Sequence, residues 1–192
     1  MFQILINEFI EKNPKLKNAI LYFAKEHPKR KGQPLYQTYL YKFLAFMDFT
    51  SIEEFGTPVF GLEYAALKEG PVPMDIYKNR SDIENDSFEF KQIDKNKYIV
   101  KSKTQADVDL SYFSEYEIEK MNNLLDKYSK RGVLVEIINR ESHSLRAYKA
   151  TVRDKLISYD DIFIDLKNKS EEDLTPEEES YLIYAGLKKI TS

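Results

Sequence analysis

The run FGTPVFGLEYAALKEGPVP at residues 55–73 constrains the fold more than any other part of the sequence. The 192-residue chain has six glycines and seven prolines, and this run holds three of each. Glycine reaches positive φ at little steric cost, whereas proline fixes φ near about −65° and holds the residue before it extended. The run therefore predicts a shaped loop, a short element over the apolar residues 62–67, and a rigid turn at Gly70-Pro71-Val72-Pro73 that leads into residues 74–77.

Two interpretations of this run remain open. It can be a tight corner within a compact bundle, or it can be a fixed platform that recognises a partner, because function concentrates on loops held by a rigid scaffold. If Gly70 has positive φ, the substitution Gly70→Val is expected to harm folding or the presentation of this platform.

Helical patterns precede the run. Apolar residues spaced by three and four predict an amphipathic first helix, with Phe2, Leu5, Ile6, Phe9 and Ile10 on its apolar face. Asn13 and Pro14 are typical Ncap and N1 residues, and they predict a second helix that ends near His27-Pro28. A third, largely buried helix is predicted from about Pro34 to Asp48.

Other signals follow the run. Two segments, Phe88–Ile93 and Lys97–Lys101, are separated by three polar residues and predict a β-hairpin. Ser114 and Glu117 form a capping box that starts a helix, and a further helix is predicted over roughly 132–141. Thr175-Pro176 predicts the start of a last helix, which can be a mobile tail or a docking element.

The predicted fold is mainly α, of the α+β class: a compact helical domain with a small β-hairpin or sheet element near the middle. We expect one domain over residues 1–170, which includes the N-terminal helices, and a helical tail over residues 171–192.

Composition argues against several classes of function. The chain has 29 basic and 32 acidic residues and a net charge of −3, so it lacks the concentrated positive charge typical of nucleic-acid binding. It has no cysteine and two histidines without metal-ligand spacing, and it lacks a phosphate-binding glycine loop, so we expect no metal and no cofactor.

The sequence also lacks membrane and secretion signals. Glu8 and Glu11 make the N-terminal segment unlike a secretory signal, and no apolar run approaches the roughly 20 residues that span a bilayer. We therefore expect a cytoplasmic protein that does not insert into membranes.

Glu141, Ser142 and His143 place the residue types of a nucleophilic triad in a row. Adjacent residues on a helix or strand do not face one another, so the tripeptide is not a triad by itself. His143 is expected to bond a backbone group or to bind a partner, and no catalytic residue is predicted.

Several motifs resemble the SocA-like antitoxin family, also called the Panacea domain. The segment Lys42–Asp48 is similar to the KLLYFAD-like helix of that family, and Gly56–Tyr64 is similar to its G-x-P-I-x-G-x-x-Y segment. Gly70–Pro73 matches its GPVP corner, with Ile76-Tyr77 after it. Phe113-Ser114 with Glu117 matches its capped helix, and Ser142-His143 matches its late SH element. The resemblance covers residues from about 15 to 150. It departs from the family at two positions: Ala45 replaces a usual Tyr, and Tyr148 is the candidate for a Trp that commonly follows the SH pair.

The resemblance implies a bacterial or phage antitoxin that neutralises a cognate toxin by direct protein contact and is not an enzyme. It implies motif or partner-binding roles for one set of residues: Tyr64, Gly70, Pro71, Val72, Pro73, Tyr77, Ser142, His143 and Tyr148. The 14 tyrosines suit such a role, because tyrosine is enriched at interfaces. The identity of the toxin and the oligomeric state do not follow from the sequence.

Two other functions stay open. One is an adaptor that delivers its partner to a protease, or a phage protein that binds a host factor. The other is an enzyme that uses Ser142, His143 and a remote acid, for which His143→Ala would abolish turnover without loss of folding.

Overall fold

The computed structural model describes residues 2–164 and 175–191, and within them the prediction of a mainly α, α+β fold is confirmed. The helices are α1 (Phe2–Lys12), α2 (Pro14–Lys31), α3 (Gln37–Phe55), α4 (Met74–Lys78), α5 (Glu115–Tyr128), α6 (Val135–Ser142), α7 (Arg146–Ala150) and α8 (Pro176–Thr191). The strands are β1 (Leu35–Tyr36), β2 (Tyr64–Leu67), β3 (Gly70–Pro73), β4 (Phe88–Asp94) and β5 (Lys97–Ser102). The predicted domain boundary at residues 170 and 171 lies outside the described residues.

Helix α3 is the centre of the fold. It packs against β3, α5, α6 and α8, and it is buried on most of its circumference. Phe43 and Leu44 have no exposed surface, and Met47 has almost none. Burying each such side chain contributes about 1.5–3 kcal/mol relative to leaving it exposed, so α3 supplies a large share of the apolar core.

The prediction that α2 ends near His27-Pro28 was wrong. The helix continues through Pro28 to Lys31 and ends at Gly32, whose φ of 74° places it in the left-handed region and whose N–H bonds the Pro28 carbonyl. A proline in a helix interior costs about 3 kcal/mol. The last turn nevertheless forms because it packs: His27 is fully buried, and its Nδ1 lies 2.7 Å from the Ser129 hydroxyl.

The third helix is also longer than predicted. It begins at Gln37 rather than near Pro34, and it passes Asp48 to end at Phe55. Phe49 and Ile52 extend its buried face beyond Asp48, and Gly56 closes it with φ 73° and an N–H bond to the Ile52 carbonyl. Asp48, where the helix was predicted to end, is instead inside the helix and fully buried.

The predicted hairpin at 88–101 is confirmed. Strands β4 and β5 pair antiparallel, with Phe90 opposite Val100, and Asn96 takes φ 62° in the turn. The two-residue strand β1 adds to the other edge of β5 through Leu35 opposite Val100, which gives the order β1-β5-β4. This pairing joins the start of α3 to the hairpin.

The prediction of a turn at 70–73 was wrong, because these residues form a strand. Gly70–Pro73 pairs antiparallel with Tyr64–Leu67, and the turn is made by Lys68 and Glu69. Two prolines are tolerated in this strand because it pairs on one edge only within a two-stranded sheet. The outer edge of β2 is covered instead, since Ala66 N–H bonds the Lys155 carbonyl.

Two helices, α5 and α8, begin at the capping residues that the sequence predicts. The Ser114 N–H bonds Glu117 Oε2 at 2.8 Å and the Glu117 N–H bonds Ser114 Oγ at 3.3 Å, which confirms the capping box. Thr175 and Glu178 make the same reciprocal bonds at the start of α8. Helix α6 begins at Val135, three residues after its predicted start.

The last helix is docked on the core. It packs along α3, and Tyr181 packs against the ring of Phe163 at a centroid distance of 5.4 Å. The Tyr184 hydroxyl donates to Asp160 Oδ1 at 2.8 Å. Within residues 2–164 and 175–191, no helix is long and apolar enough to cross a membrane.

A substitution at Gly56 tests whether α8 is docked on the core. A Cβ at Gly56 would lie 2.3 Å from the Ser180 carbonyl oxygen, whereas a Cβ at Gly132 would meet nothing within 4 Å, although φ is positive at both. Gly132→Ala is expected to cost about 1–2 kcal/mol of unfolding free energy through backbone strain alone. Gly56→Ala is expected to cost about 1–3 kcal/mol more and to speed amide exchange across α8. Equal losses in chemical denaturation and unchanged exchange in α8 would contradict close packing of this helix on Gly56.

Candidate functional site

The buried carboxylate of Asp48 fixes the loop that leads into β2. It accepts hydrogen bonds from three successive backbone amides and a phenol: Phe60 N at 2.6 Å, Gly61 N at 3.3 Å, Leu62 N at 3.2 Å and Tyr64 Oη at 2.9 Å. Gly61 has φ 68°, which helps successive N–H groups to converge on one acceptor. The glycine-rich run thus has a fixed backbone because its amides bind a side chain of α3.

Tyr159 closes this cluster from the far end of the chain. Its hydroxyl donates to the Leu62 carbonyl at 2.6 Å and lies 3.4 Å from Asp48 Oδ2. Burial, followed by the neighbouring Asp48 charge, raises the pKa of both Tyr64 and Tyr159, so both stay protonated as donors. The cluster therefore holds residues 60–64 and 159 against one helix.

Burial raises the pKa of Asp48 to about 6, and the bonds from the loop amides and Tyr64 only partly oppose this shift. A carboxyl whose pKa is raised in the folded state binds more protons there than in the unfolded chain. Its contribution to stability is therefore fully present below the unfolded value near 4, and it is lost as pH rises through about 6.

Asp48→Asn tests both roles of this carboxyl. The amide cannot accept at all of these donors, so we expect a loss of at least about 1–3 kcal/mol of unfolding free energy. The advantage of the wild type over the variant should be larger at pH 4 than at pH 7, measured by urea denaturation. If the wild type's advantage in unfolding free energy instead grows with pH, the hydrogen bonds outweigh burial and lower the pKa of Asp48.

A second polar cluster lies at the tip of the β2–β3 hairpin. Gly70 has φ 106°, and a Cβ there would lie 2.3 Å from Ser142 Oγ and 2.9 Å from Lys42 Cε. The positive φ assumed from the sequence is therefore present. Gly70 also provides the space in which α3 and α6 approach the hairpin.

Lys42 is a fully buried lysine beneath this hairpin. Its Nζ donates to the Pro71 carbonyl at 3.1 Å, and burial lowers its pKa to about 7, although the Glu69 charge opposes that shift. The carbonyl of Pro71 can accept this bond because it is not used in the pairing of a wider sheet. Lys42 and Asp48 thus contact β3 and the start of β2 from the same helix.

Ser142 and Asn139 connect α6 to the same tip. The Ser142 hydroxyl donates to the Asn139 carbonyl at 2.7 Å, and Asn139 Nδ2 donates to Glu69 Oε2 at 2.9 Å. The hydroxyl of Ser142 is fully buried and bonded within its own helix, so it is not placed as a nucleophile activated by His143.

His143 and Tyr148 cover the tip. Their rings stack at a centroid distance of 4.8 Å, and the Tyr148 hydroxyl donates to the Leu67 carbonyl at 2.9 Å. Burial, and then the charge of Lys42, lowers the pKa of His143, while Glu69 and a bond to the Lys68 backbone oppose the shift. Within the described chain, buried Nε2 of His143 and Oδ1 of Asn139 have no hydrogen-bond partner.

The structure brings together part of the set implied by the sequence motifs. Residues 70–73 are buried, and Ser142, His143 and Tyr148 surround the hairpin tip. Tyr64 is 1% exposed and belongs to the Asp48 cluster. Tyr77 lies apart, against Tyr41 and under the guanidinium of Arg80. Only His143, Tyr148 and Tyr77 are partly open to a partner in this conformation.

Sequence reasoning assigned no site role to five polar residues of these clusters, namely Lys42, Asp48, Glu69, Asn139 and Tyr159. A signal existed for two of them: Lys42 and Asp48 interrupt an otherwise apolar helix in KFLAFMDF. Within the described residues, no three His, Asp or Glu side chains are grouped as metal ligands.

Gly70→Val tests the packing at the hairpin tip. The positive φ and the contacts with Ser142 and Lys42 lead us to expect a loss of about 2–4 kcal/mol in urea denaturation. Gly132→Val is the matched control, since its φ is 83° but no atom lies within 4 Å of its Cβ position. If both variants lose the same unfolding free energy in urea denaturation, the close contact at Gly70 does not contribute to stability.

Comparison with known proteins shows a family match. A family model described as "Antitoxin SocA-like, Panacea domain" matches residues 40–142, which is more than half of the chain. The matched range contains Lys42, Asp48, the β2–β3 hairpin and Ser142. No curated protein and no solved structure matches the chain.

Proposed function

Because the chain belongs to the SocA-like antitoxin family, the Panacea domain, we propose that it neutralises a cognate toxin by binding that protein directly. The family match over residues 40–142 is the observation that carries this proposal. The toxin forms a complex with the folded chain, and the chain itself performs no chemistry on it.

The geometry of the matched region supports a binding role. Its buried polar groups hold backbone in place: Asp48 binds the amides of 60–62, and Lys42 binds the Pro71 carbonyl. A scaffold of this kind presents fixed surfaces, which lowers the entropy lost on association.

The same geometry favours binding over catalysis. Ser142 and His143 are neighbours in sequence, but the Ser142 hydroxyl donates to Asn139 and His143 stacks on Tyr148. A nucleophile needs its base within hydrogen-bond reach and an opening to substrate. We therefore propose that the chain is not an enzyme.

Co-expression tests this function. The chain is tagged and expressed with the product of its neighbouring reading frame, and growth and complex formation are measured together. We expect the neighbour alone to stop growth, the pair to grow, and a stable complex to be purified through the tag.

The control separates neutralisation from delivery to a protease. The neighbour's level is followed after synthesis is stopped, with and without the chain. Unchanged neighbour lifetime in a stable complex supports neutralisation by binding. Rapid loss of the neighbour points to an adaptor, and a harmless neighbour that does not bind contradicts the proposal.

A further inference from the structure

A cleft of about 710 Å³ opens between four segments of the chain. Its walls are the C-terminal end of α2 with the residues just after it, Tyr36 with the start of α3, Lys97 and Tyr98 of β5, and the segment 131–136 that leads into α6. This volume is in the range of known binding sites, about 300–1,000 Å³.

The lining of the cleft is positively charged. It contains Lys31, Lys97 and Arg131 against a single acid, Glu136, although the whole chain carries a net charge of −3. Lys97 and Arg131 are exposed, and neither makes an ion pair with another described residue. A concave surface with one sign of charge concentrates partners of the opposite sign.

The walls are held by internal bonds. Lys31 is 7% exposed, and its Nζ donates to the carbonyl of Val133. The Tyr39 hydroxyl donates to the same carbonyl at 3.3 Å, and Tyr36 is fixed opposite Ile99 by the β1–β5 pairing. The cleft is therefore formed before anything binds, which favours tight association.

An apolar contact lies beside these charges. Leu134 is 64% exposed and lines the cleft together with Val133 and Val135. The cleft thus combines an exposed leucine with two cations that have no acidic partner in the described part of the chain. A free small anion would satisfy the cations but would leave the leucine exposed. A protein segment that carries carboxylates beside an apolar side chain matches both.

We propose that this cleft is the docking site for an acidic segment of the protein partner, with carboxylates at Lys97 and Arg131 and an apolar side chain at Leu134. This inference rests on the proposed function, because the partner is the toxin that the chain neutralises. Polynucleotide is not the occupant we propose, since the cleft offers only two exposed cations, Lys97 and Arg131, on a chain of net negative charge.

The test uses the complex of the full chain with its toxin and a double charge reversal, Lys97→Glu with Arg131→Glu. The matched control is Lys149→Glu with Lys155→Glu, which makes the same change of net charge at exposed lysines outside the cleft. We expect the cleft variant to raise the dissociation constant by about tenfold or more at low salt and to lose growth rescue. The control is expected to stay within about threefold of the wild type.

A second pair of variants tests the apolar contact. Leu134→Ser removes an exposed side chain of the cleft, and Val152→Ser does the same at a residue that is 73% exposed and outside it. Neither should lose stability, because serine at position 134 can cap the start of α6. Only Leu134→Ser should weaken the complex, by about fivefold or more. Circular dichroism of each variant confirms that it is folded.

The outcomes separate this inference from the proposed function. If the wild type neither binds nor neutralises, the proposed function fails and the docking site fails with it. If the wild type neutralises but the cleft variants bind as tightly as the controls, the docking site alone is overturned. Equal weakening by both charge reversals also overturns it, because the effect is then that of net charge.

Discussion

The fold depends on a carboxylate that pairs with no cation among the described residues. Asp48 is fully buried within α3, and its negative charge is met by three loop amides and the hydroxyl of Tyr64. Removing a carboxylate from water is costly, and several aligned donors are needed to offset that cost. The amides of 60, 61 and 62 converge on this one acceptor, so the carboxylate holds the glycine-rich run in its observed path. Tyr159 then ties a distant segment to the same point.

Lys42 complements this interaction six residues earlier on the same helix. Asp48 holds the entry to β2, whereas Lys42 bonds the Pro71 carbonyl in β3, so α3 holds both strands of the hairpin. Gly70 allows the close approach, since any Cβ there would meet Ser142 and Lys42. Buried charges of this kind contribute little net stability, but they disfavour alternative packings in which they would be unpaired. The hairpin is therefore a fixed part of the scaffold, as both the tight-corner and the fixed-platform interpretations of the glycine-rich run require.

Local signals in the sequence were sufficient for part of this structure. The Ser114–Glu117 capping box, the Thr175 cap and the 88–101 hairpin follow from neighbouring residues, and all three were predicted. The error at Pro28 arose because a distant contact decides the outcome, since the last turn of α2 packs on Ser129. The error at residues 70–73 has a different cause: β3 pairs with its neighbour across a two-residue turn, but its two prolines are typical of a turn rather than a strand. Asp48 and Lys42 were missed because their partners lie 12–16 and 29 residues away. The cleft was missed for the same reason, since it combines residues from positions 31, 97 and 131.

Amide hydrogen exchange at residues 60–62 tests the central claim most directly. If the Asp48 carboxylate holds the loop, the amides of Phe60, Gly61 and Leu62 exchange as slowly as those of α3, although they lie outside any helix or strand. In Asp48→Asn these three amides should lose protection while those of β4 and β5 keep theirs. Fast exchange at residues 60–62 in the wild type would contradict the account, because the glycine-rich run would then be an ordinary surface loop.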